Sequence, residues 1–432
     1  MKYPFAVHHM NPARAFRLRG IAVIFAWLCQ CWQPQRLGAE DRFEYRYEEY
    51  QEEGGRMHIR THSAFFEAEL DPKFVVRGQY VYDGISGATP TGGLPQPGSD
   101  KVPMVEVTPD LRHAYNVETD IKTGIFTTRP QVSYSSEHDY RSWGLALNES
   151  VELNQKNTTL NFGFARNIDK VSGTATSYRF ANKDTWDAMV GVTQLLDPKT
   201  YLTVNFTFGM EHGFLSDPYR SISVFDPQIP AALGGDPAFT DVENRPSRRV
   251  KETVFVGLTH FFDRLNGSGE LSYRFHNDDW DVIGNTVQIT WNQKIGRSLT
   301  LSPSFRYHRQ TAANFYRTSV KGLAFVPEGA TYITDSAGNP APIPFQALDY
   351  TPAPGEVVAA ILAPYPTYYS SDYRLSELQS FTYGLAAHWR FHKHWSIDAS
   401  YQRYEMEGLD GFTPQSAYPS ANVFSAGIAF LW

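Results

Sequence analysis

Apolar and polar residues alternate along many short segments between residue 43 and residue 432, whereas segments with a helical period are scarce. Strict alternation at every second position is typical of β-strands that bury one face. The pattern therefore predicts an all-β protein. Its apolar faces either fill the core of a soluble sandwich or contact lipid around a membrane barrel. The clearest alternating segments are Leu202–Met210, Val254–Leu258, Leu271–Phe275, Val287–Trp291, Leu299–Tyr307 and Phe381–Phe391.

The last ten residues give the strongest indication of a membrane barrel, because Phe424, Ile428, Phe430 and Trp432 share one parity. Chain termini are usually frayed and polar. The final strand of an outer-membrane barrel instead presents an apolar face to lipid and aromatic side chains to the membrane boundary. The terminal pattern resembles the signal read by the barrel-assembly machinery, and we assign that signal to Phe430 and Trp432. A buried edge strand of a soluble sandwich is the alternative interpretation.

The connections between the alternating segments favour the barrel. Short ones, such as Leu70–Pro72 and His392–Lys393, alternate with connections that include long ones. The long ones hold about 27 residues after Gly84, about 35 after His212 and roughly 60 or more after Gln310. We predict a transmembrane antiparallel up-and-down β-barrel of about 16 strands, with short periplasmic turns and long extracellular loops. An apolar run in the last loop, 357–362, either folds inward as a constriction or stays at the surface.

The N-terminal residues predict export. Four basic residues precede an apolar run from Gly20 to Leu28, and small residues follow, ending at Ala39. This is the order of a cleaved secretory signal, and the run is shorter than the roughly 20 residues that span a bilayer as a helix. We expect residues 1–39 to be a signal peptide and residues 40–432 to form the barrel in the outer membrane. A lipoprotein site at Cys29 is the alternative, which the bulky Trp27 fits poorly.

Composition agrees with a barrel and excludes some functions. Aromatic residues reach 15% although the mean hydropathy is −0.40, a combination expected when strands have one polar face and aromatic girdles. Both cysteines lie before residue 40, so the mature chain would contain no disulfide or thiolate site. Residues 1–39 carry five basic and no acidic side chains, and their removal changes the formal charge from −7 to −12. A strongly acidic chain is not expected to bind nucleic acid.

Charged and histidine side chains recur on the parity opposite to the apolar one. An arginine facing hydrocarbon at mid-depth costs about 2–4 kcal/mol, so these residues are expected to point inward. They form either a polar conduit with a charged constriction or a network of ion pairs that fills a closed lumen. Histidine clusters also suit metals, but this spacing equally fits a solvated lining, and no metal or cofactor is predicted. The candidate lumen residues are Arg60, Arg77, Asp83, Glu270, Arg274, His276, Arg306, His308, His388, Arg390 and Asp398, with His58, His62 and Glu211 on the same parity.

One segment resembles the hallmark of a known family. Tyr80–Gly92 contains the sequence YDGISGATPTG, which is similar to the signature of an uncharacterised bacterial family of outer-membrane barrels, a domain of unknown function. The resemblance covers essentially the whole mature chain and implies the barrel fold, but it implies no activity. The chain departs from the family pattern at Asp281, where a glycine is expected. Further matching blocks are Asn154–Leu160, Tyr273–Asp281, Arg306–Gln310 and Ser371–Leu375.

The glycines, prolines and small polar residues of the hallmark suit a shaped loop. Such a loop either anchors the long connection after it or binds a ligand or an ion.

Three functions remain open from the sequence. The first is a channel or transporter for a small polar solute, and the second is a closed barrel that serves as a scaffold for another protein. The third is a hydrolase at the rim, built on His138 with Asp139 or on His276 with Asp278 and Asp279. Sequence signatures of common enzymes are missing, so no enzymatic activity is predicted. The expected partners are outer-membrane lipid, the assembly machinery and the solute.

Overall fold

The computed structural model of the protein describes residues 41–96, 98–225, 239–321, 331–334, 340–341, 358–360 and 366–432. The predicted signal peptide and its cleavage site lie outside these residues. Within these ranges, no helix combines the length and apolar character needed to cross a membrane.

Sixteen antiparallel strands form a closed barrel in which each strand pairs with its neighbours in sequence and the last pairs with the first. The prediction of an up-and-down barrel of about 16 strands is therefore confirmed. The strands are β1 (Arg42–Glu52), β2 (His58–Asp71), β3 (Phe74–Pro90), β4 (Met104–Thr123), β5 (Phe126–Ser136), β6 (Tyr140–Leu153), β7 (Thr158–Val171), β8 (Ala181–Asp197), β9 (Thr200–Gly213), β10 (Arg248–Phe262), β11 (Gly267–Asp278), β12 (Ile283–Ile295), β13 (Leu299–Gln310), β14 (Leu378–His392), β15 (Trp395–Gly408) and β16 (Ser420–Leu431).

The two faces of the wall differ as the alternation predicts. Large apolar side chains on one face remain exposed, for example Val117, Leu147 and Phe164, each at least half exposed. On the other face, Arg46 reaches Asp398 at 3.0 Å across the intervening strand β16. Side chains converge in this way on the concave side of a barrel, so the polar face is the inner one and the apolar face is the lipid-facing one.

The rims also differ. Turns of two to four residues join the strands at the rim that contains both ends of the barrel chain, which is the periplasmic rim of this architecture. The opposite, extracellular rim carries the long loops 214–247 and 311–377. The loop predicted after Gly84 is shorter than expected. β3 continues through a bulge to Pro90, and β4 starts at Met104, so much of the hallmark segment is strand rather than loop.

The extracellular loops pack into a unit that we call the cap, formed by residues 91–96, 98–103, 214–225, 239–247, 311–321, 366–377 and 409–419. At its centre, the strand Ser221–Phe225 pairs antiparallel with Phe239–Val242 and parallel with Ser319–Lys321. Ile222, Val224 and Val320 are almost completely buried there. Because the four loops that contribute to the cap start at widely separated points of the rim, the cap crosses the mouth of the barrel.

A second small sheet joins Thr331–Thr334 to Pro340–Ala341 and to Val358–Ala360. The last of these strands overlaps the apolar run 357–362. The remainder of that run lies outside the described residues.

Candidate functional site: a charged lumen beneath an ion-paired cap

Asp372 lies at the centre of the cap with 1% of its side chain exposed. Its carboxylate accepts hydrogen bonds from Arg245 at 2.7 Å and from Arg374 at 2.9 Å, and Arg220 lies 3.7 Å away. Burial opposes the ionisation of Asp372. The three guanidinium groups outweigh that effect and hold its pKa well below the usual range. Asp372 therefore joins three segments of the cap through one buried negative charge.

Two further carboxylates balance the three arginines. Glu243 pairs with Arg245 at 2.7 Å and accepts a hydrogen bond from the hydroxyl of Ser370. Asp217 pairs with Arg374 at 2.8 Å. Burial raises the pKa of Glu243. These six charged residues form what we call the cap ion cluster: Asp217, Arg220, Glu243, Arg245, Asp372 and Arg374.

The two segments that resemble family signatures meet next to this cluster. The carbonyl of Thr91 accepts a hydrogen bond from the amide of Ser221 at 2.8 Å, and the Ser371 hydroxyl donates to the carbonyl of Ser221 at 2.7 Å. Gly92 lies between them with φ +92°, and a Cβ on Gly92 would overlap both Ser221 and Ser371. The end of the hallmark and the Ser371–Leu375 block are therefore parts of one packed structure.

Replacement of Gly92 is expected to loosen the cap without opening the barrel. Gly92→Ala forces a side chain into backbone at a positive φ, which costs on the order of 1–3 kcal/mol before the overlap is counted. We expect limited proteolysis to cut the cap loops of the folded variant faster than those of the wild type. Gly98→Ala is the matched control, because Gly98 lies in the same loop at φ +80° with open space around it. Equal cleavage of both variants would contradict this packing.

The strand register places nine of the eleven candidate lumen residues on the inner face, and Arg390, next to the bulge at the end of β14, continues the inner parity of His388. Several are paired there. Arg77 contacts Glu67 and bonds to Asp120 at 2.8 Å. Asp83 accepts a hydrogen bond from Arg112 at 2.5 Å. The inner ten are Arg77, Asp83, Glu270, Arg274, His276, Arg306, His308, His388, Arg390 and Asp398.

The expectation for Arg60 is wrong, and so are those for His58 and His62. The register aligns Arg60 with Glu49 and His62 with Tyr47, on the face that carries exposed Phe66. Arg60 points outward near the extracellular rim, where it lies 3.6 Å from Glu49. Outward arginine is inexpensive at this depth, because its cost falls to about 0–1 kcal/mol near the interface.

Three inward arginines, unlike Arg77, form no ion pair within the described residues. Arg274, Arg306 and Arg390 project from β11, β13 and β14, and all three are exposed. Among the described residues, no carboxylate lies within 4.0 Å of them. Arg274 instead lies 5.9 Å from the ring centroid of Phe255. Exposure of inward charged groups indicates that water reaches the inner wall at these strands.

The inner wall across the barrel is polar, and its arginines Arg77 and Arg129 pair with carboxylates. Gln79, Asn116, Gln131 and Ser133 line a recess of about 310 Å³ between β3 and β6. Asn148, Ser150, Asn161 and Asn205 line a second of about 290 Å³ between β5 and β9. The lumen therefore presents amide, hydroxyl and paired charged groups on one side, and guanidinium groups without a carboxylate within 4.0 Å among the described residues on the other.

The two candidate hydrolase sites have different surroundings. His138 shares a 2.7 Å hydrogen bond with Asp110, which raises the pKa of His138, and Asp139 lies close by. His276 lies on the inner wall, 3.2 Å from the Thr253 hydroxyl and 3.3 Å from Asp278.

Asp278 serves local structure, because it accepts the amides of Trp280 and Val282 and pairs with Arg249. Asp110, His138 and Asp139 are residue types that ligate metals. However, His138 and Asp110 already hydrogen-bond to each other. We assign no metal to these residues.

The candidate assembly residues lie where the pattern predicts. Phe430 pairs with Phe43 on the outward parity, stacks on Trp432 at 5.3 Å and packs against Trp395 at 4.6 Å. These rings form an aromatic group at the periplasmic boundary of the barrel wall. Recognition of this group by the assembly machinery stays a prediction.

Sequence reasoning missed Asp217, Arg220, Glu243 and Arg245 of the cap ion cluster. They lie in loops without periodicity. Their ion-pair partners are either more than a hundred residues away in the sequence or two residues away. The only sequence signal near them was the resemblance of Ser371–Leu375 to a family block.

A closed, sixteen-stranded antiparallel barrel with a lipid-facing apolar wall and a polar lumen is the architecture of bacterial outer-membrane β-barrel proteins. The family model described as "Protein of unknown function (DUF3570)" matches residues 30–181 and 174–416. The chain belongs to this family. A search of curated proteins finds no match.

Solved structures with similar folds are distant in sequence. The siderophore receptor PirA from Pseudomonas aeruginosa is 11% identical with a TM-score of 0.40, over 91% of this chain and 63% of that one. CdiB from Acinetobacter baumannii is 9% identical with a TM-score of 0.47, over 90% and 60%. OmpT from Vibrio cholerae is 9% identical with a TM-score of 0.40, over 91% and 99%. This chain spans less than two thirds of the first two proteins.

Proposed function

We propose that this protein is an outer-membrane channel for a small polar solute and that the cap gates it. The observation that carries the proposal is the exposure of the inward side chains of Arg274, Arg306 and Arg390. A lumen filled by ion pairs would neutralise and bury such groups, since an unpaired buried charge is strongly unfavourable. Barrels of 16 strands are wide enough for an aqueous lumen.

Current through the purified protein tests this proposal. In planar bilayers, we expect discrete conductance steps and a single-channel current that changes at least about twofold in the variant Arg274→Gln/Arg306→Gln. The change arises because two free charges leave the wall of the pathway. Arg309→Gln is the matched control, since Arg309 faces outward on β13 and pairs with Glu377 at 3.0 Å. A protein without conductance steps that also fails to pass solutes in liposomes would rule out the channel.

The packed cap supports a second candidate, a closed barrel that acts as a scaffold for a periplasmic or surface protein. Its buried core, around Ile222 and Val320, resembles a small domain rather than a set of mobile loops. A stoichiometric partner recovered from native membranes, together with absent conductance, would favour this candidate. Recovery of a lone conducting barrel would exclude it.

A further inference from the structure

Two basic residues face each other directly on the lipid-facing wall. Arg141 near the start of β6 and Lys170 near the end of β7 are register partners, and both are exposed. They share the outward parity with Trp143 and Ile168, which lie two residues further from the extracellular rim on the same strands. Like charges directly opposite each other in a sheet are destabilising. An anion bound between the two cations would offset this repulsion.

The protein itself supplies no such anion within the described chain, where no carboxylate lies within 4.0 Å of either cation. Asp169, the neighbour of Lys170 in sequence, is on the inner parity and buried. Asp139 accepts a hydrogen bond from the Tyr219 hydroxyl at 2.5 Å. Two other outward arginines differ: Arg166 pairs with Asp184 at 2.8 Å, and Arg403 pairs with Glu53 at 2.5 Å.

The surroundings of the pair are those of a membrane interface. Arg141 lies over the ring of Phe180 at 5.0 Å, and Trp143 below it is 54% exposed. Aromatic side chains of this kind are typical of the level of lipid headgroups. The guanidinium binds phosphate oxygens through two parallel hydrogen bonds, and the ammonium adds a point charge.

We propose that Arg141 and Lys170 bind the phosphate group of an anionic lipid in the outer leaflet. The site lies on the lipid-facing wall at the extracellular end of the strands, where headgroups are located. This inference is independent of solute passage, because neither residue faces the lumen. A phosphate group could also come from free phosphate in solution, and the experiment separates the two sources.

The test measures binding of phosphatidic acid to the folded full-length barrel by native mass spectrometry in detergent. We expect Arg141→Gln/Lys170→Gln to weaken binding roughly 30-fold, from about 1 kcal/mol for each cation. The charge-preserving variant Arg141→Lys/Lys170→Arg should retain binding within a few-fold. Arg309→Gln is the control, since it removes an outward arginine that already has a partner.

Each other outcome overturns the inference. Unchanged affinity in the double glutamine variant, or an equal loss in Arg309→Gln, would show that binding does not depend on this pair. Inorganic phosphate that displaces phosphatidic acid at equal concentration would assign the site to free phosphate instead of lipid. Heat-modifiable gel mobility, measured for each variant, separates loss of binding from failed assembly.

Discussion

Deletion of Phe430–Trp432 is expected to abolish assembly of the closed barrel. β16 closes the wall by pairing with β1 from Leu431 back to Ala421, and mutual backbone hydrogen bonds of 3.0 and 3.1 Å join Asp41 to Trp432. Truncation leaves backbone groups of β1 and β15 unpaired in the membrane at several kcal/mol each. It also removes Phe430 and Trp432, which we assign to recognition by the assembly machinery. The folded, SDS-resistant form in heat-modifiable gels should fall to the background level.

A deletion of three residues within 345–355 is the control for this experiment. In the sequence, that segment belongs to the connection between β13 and β14, and the free energy of loop closure changes slowly with length. The loop deletion should leave the heat-modifiable form at the wild-type level. If the truncated protein still ran as the compact form, Phe430–Trp432 would be dispensable for closure of the barrel.

Asp372→Asn is expected to open the cap while the barrel stays closed. The substitution keeps the shape of the side chain and removes the one negative charge shared by Arg220, Arg245 and Arg374. Removal of one partner from a buried ionic group costs about 3–5 kcal/mol. If the cap gates the channel, this loss favours the open cap by more than about a hundredfold. Open probability in planar bilayers and proteolysis of the cap loops should both rise.

The control for Asp372→Asn is Asp100→Asn, which removes an exposed carboxylate from the same cap. We expect no change in open probability or proteolysis for this variant. The two measurements separate two claims. Faster proteolysis with unchanged conductance would retain the cap ion cluster as a structural support and remove its role as a gate. Wild-type behaviour in both would contradict the central position of Asp372.

The sequence by itself determined the wall of the barrel. Side chains of a strand alternate with a period of two, so the parity of Leu271, Tyr273 and Phe275 is enough to place Arg274 and His276 on the opposite face. The terminal aromatic parity and the contrast between short turns and long loops then determined the strand number and the rims. These signals are local, and local signals can be recognised without knowledge of the fold.

The tertiary structure decided the orientation of Arg60. The segment around Met57 and Ile59 is short, and its apolar residues favour the wrong face. Pairing with Tyr47 on β1 and Tyr82 on β3 fixes the register, and one residue of shift would reverse every side chain of β2. Pairing with β1 and β3 therefore determines the orientation of β2, against its weak local pattern.

The cap was decided entirely by tertiary structure. Arg220 and Asp372, Thr91 and Ser221, and Arg245 and Asp372 come together from loops that are widely separated in sequence. Loops have no periodicity, so nothing in the sequence indicates which charge meets which. The closed barrel brings the loop ends to one rim, and burial then makes each arginine require its carboxylate.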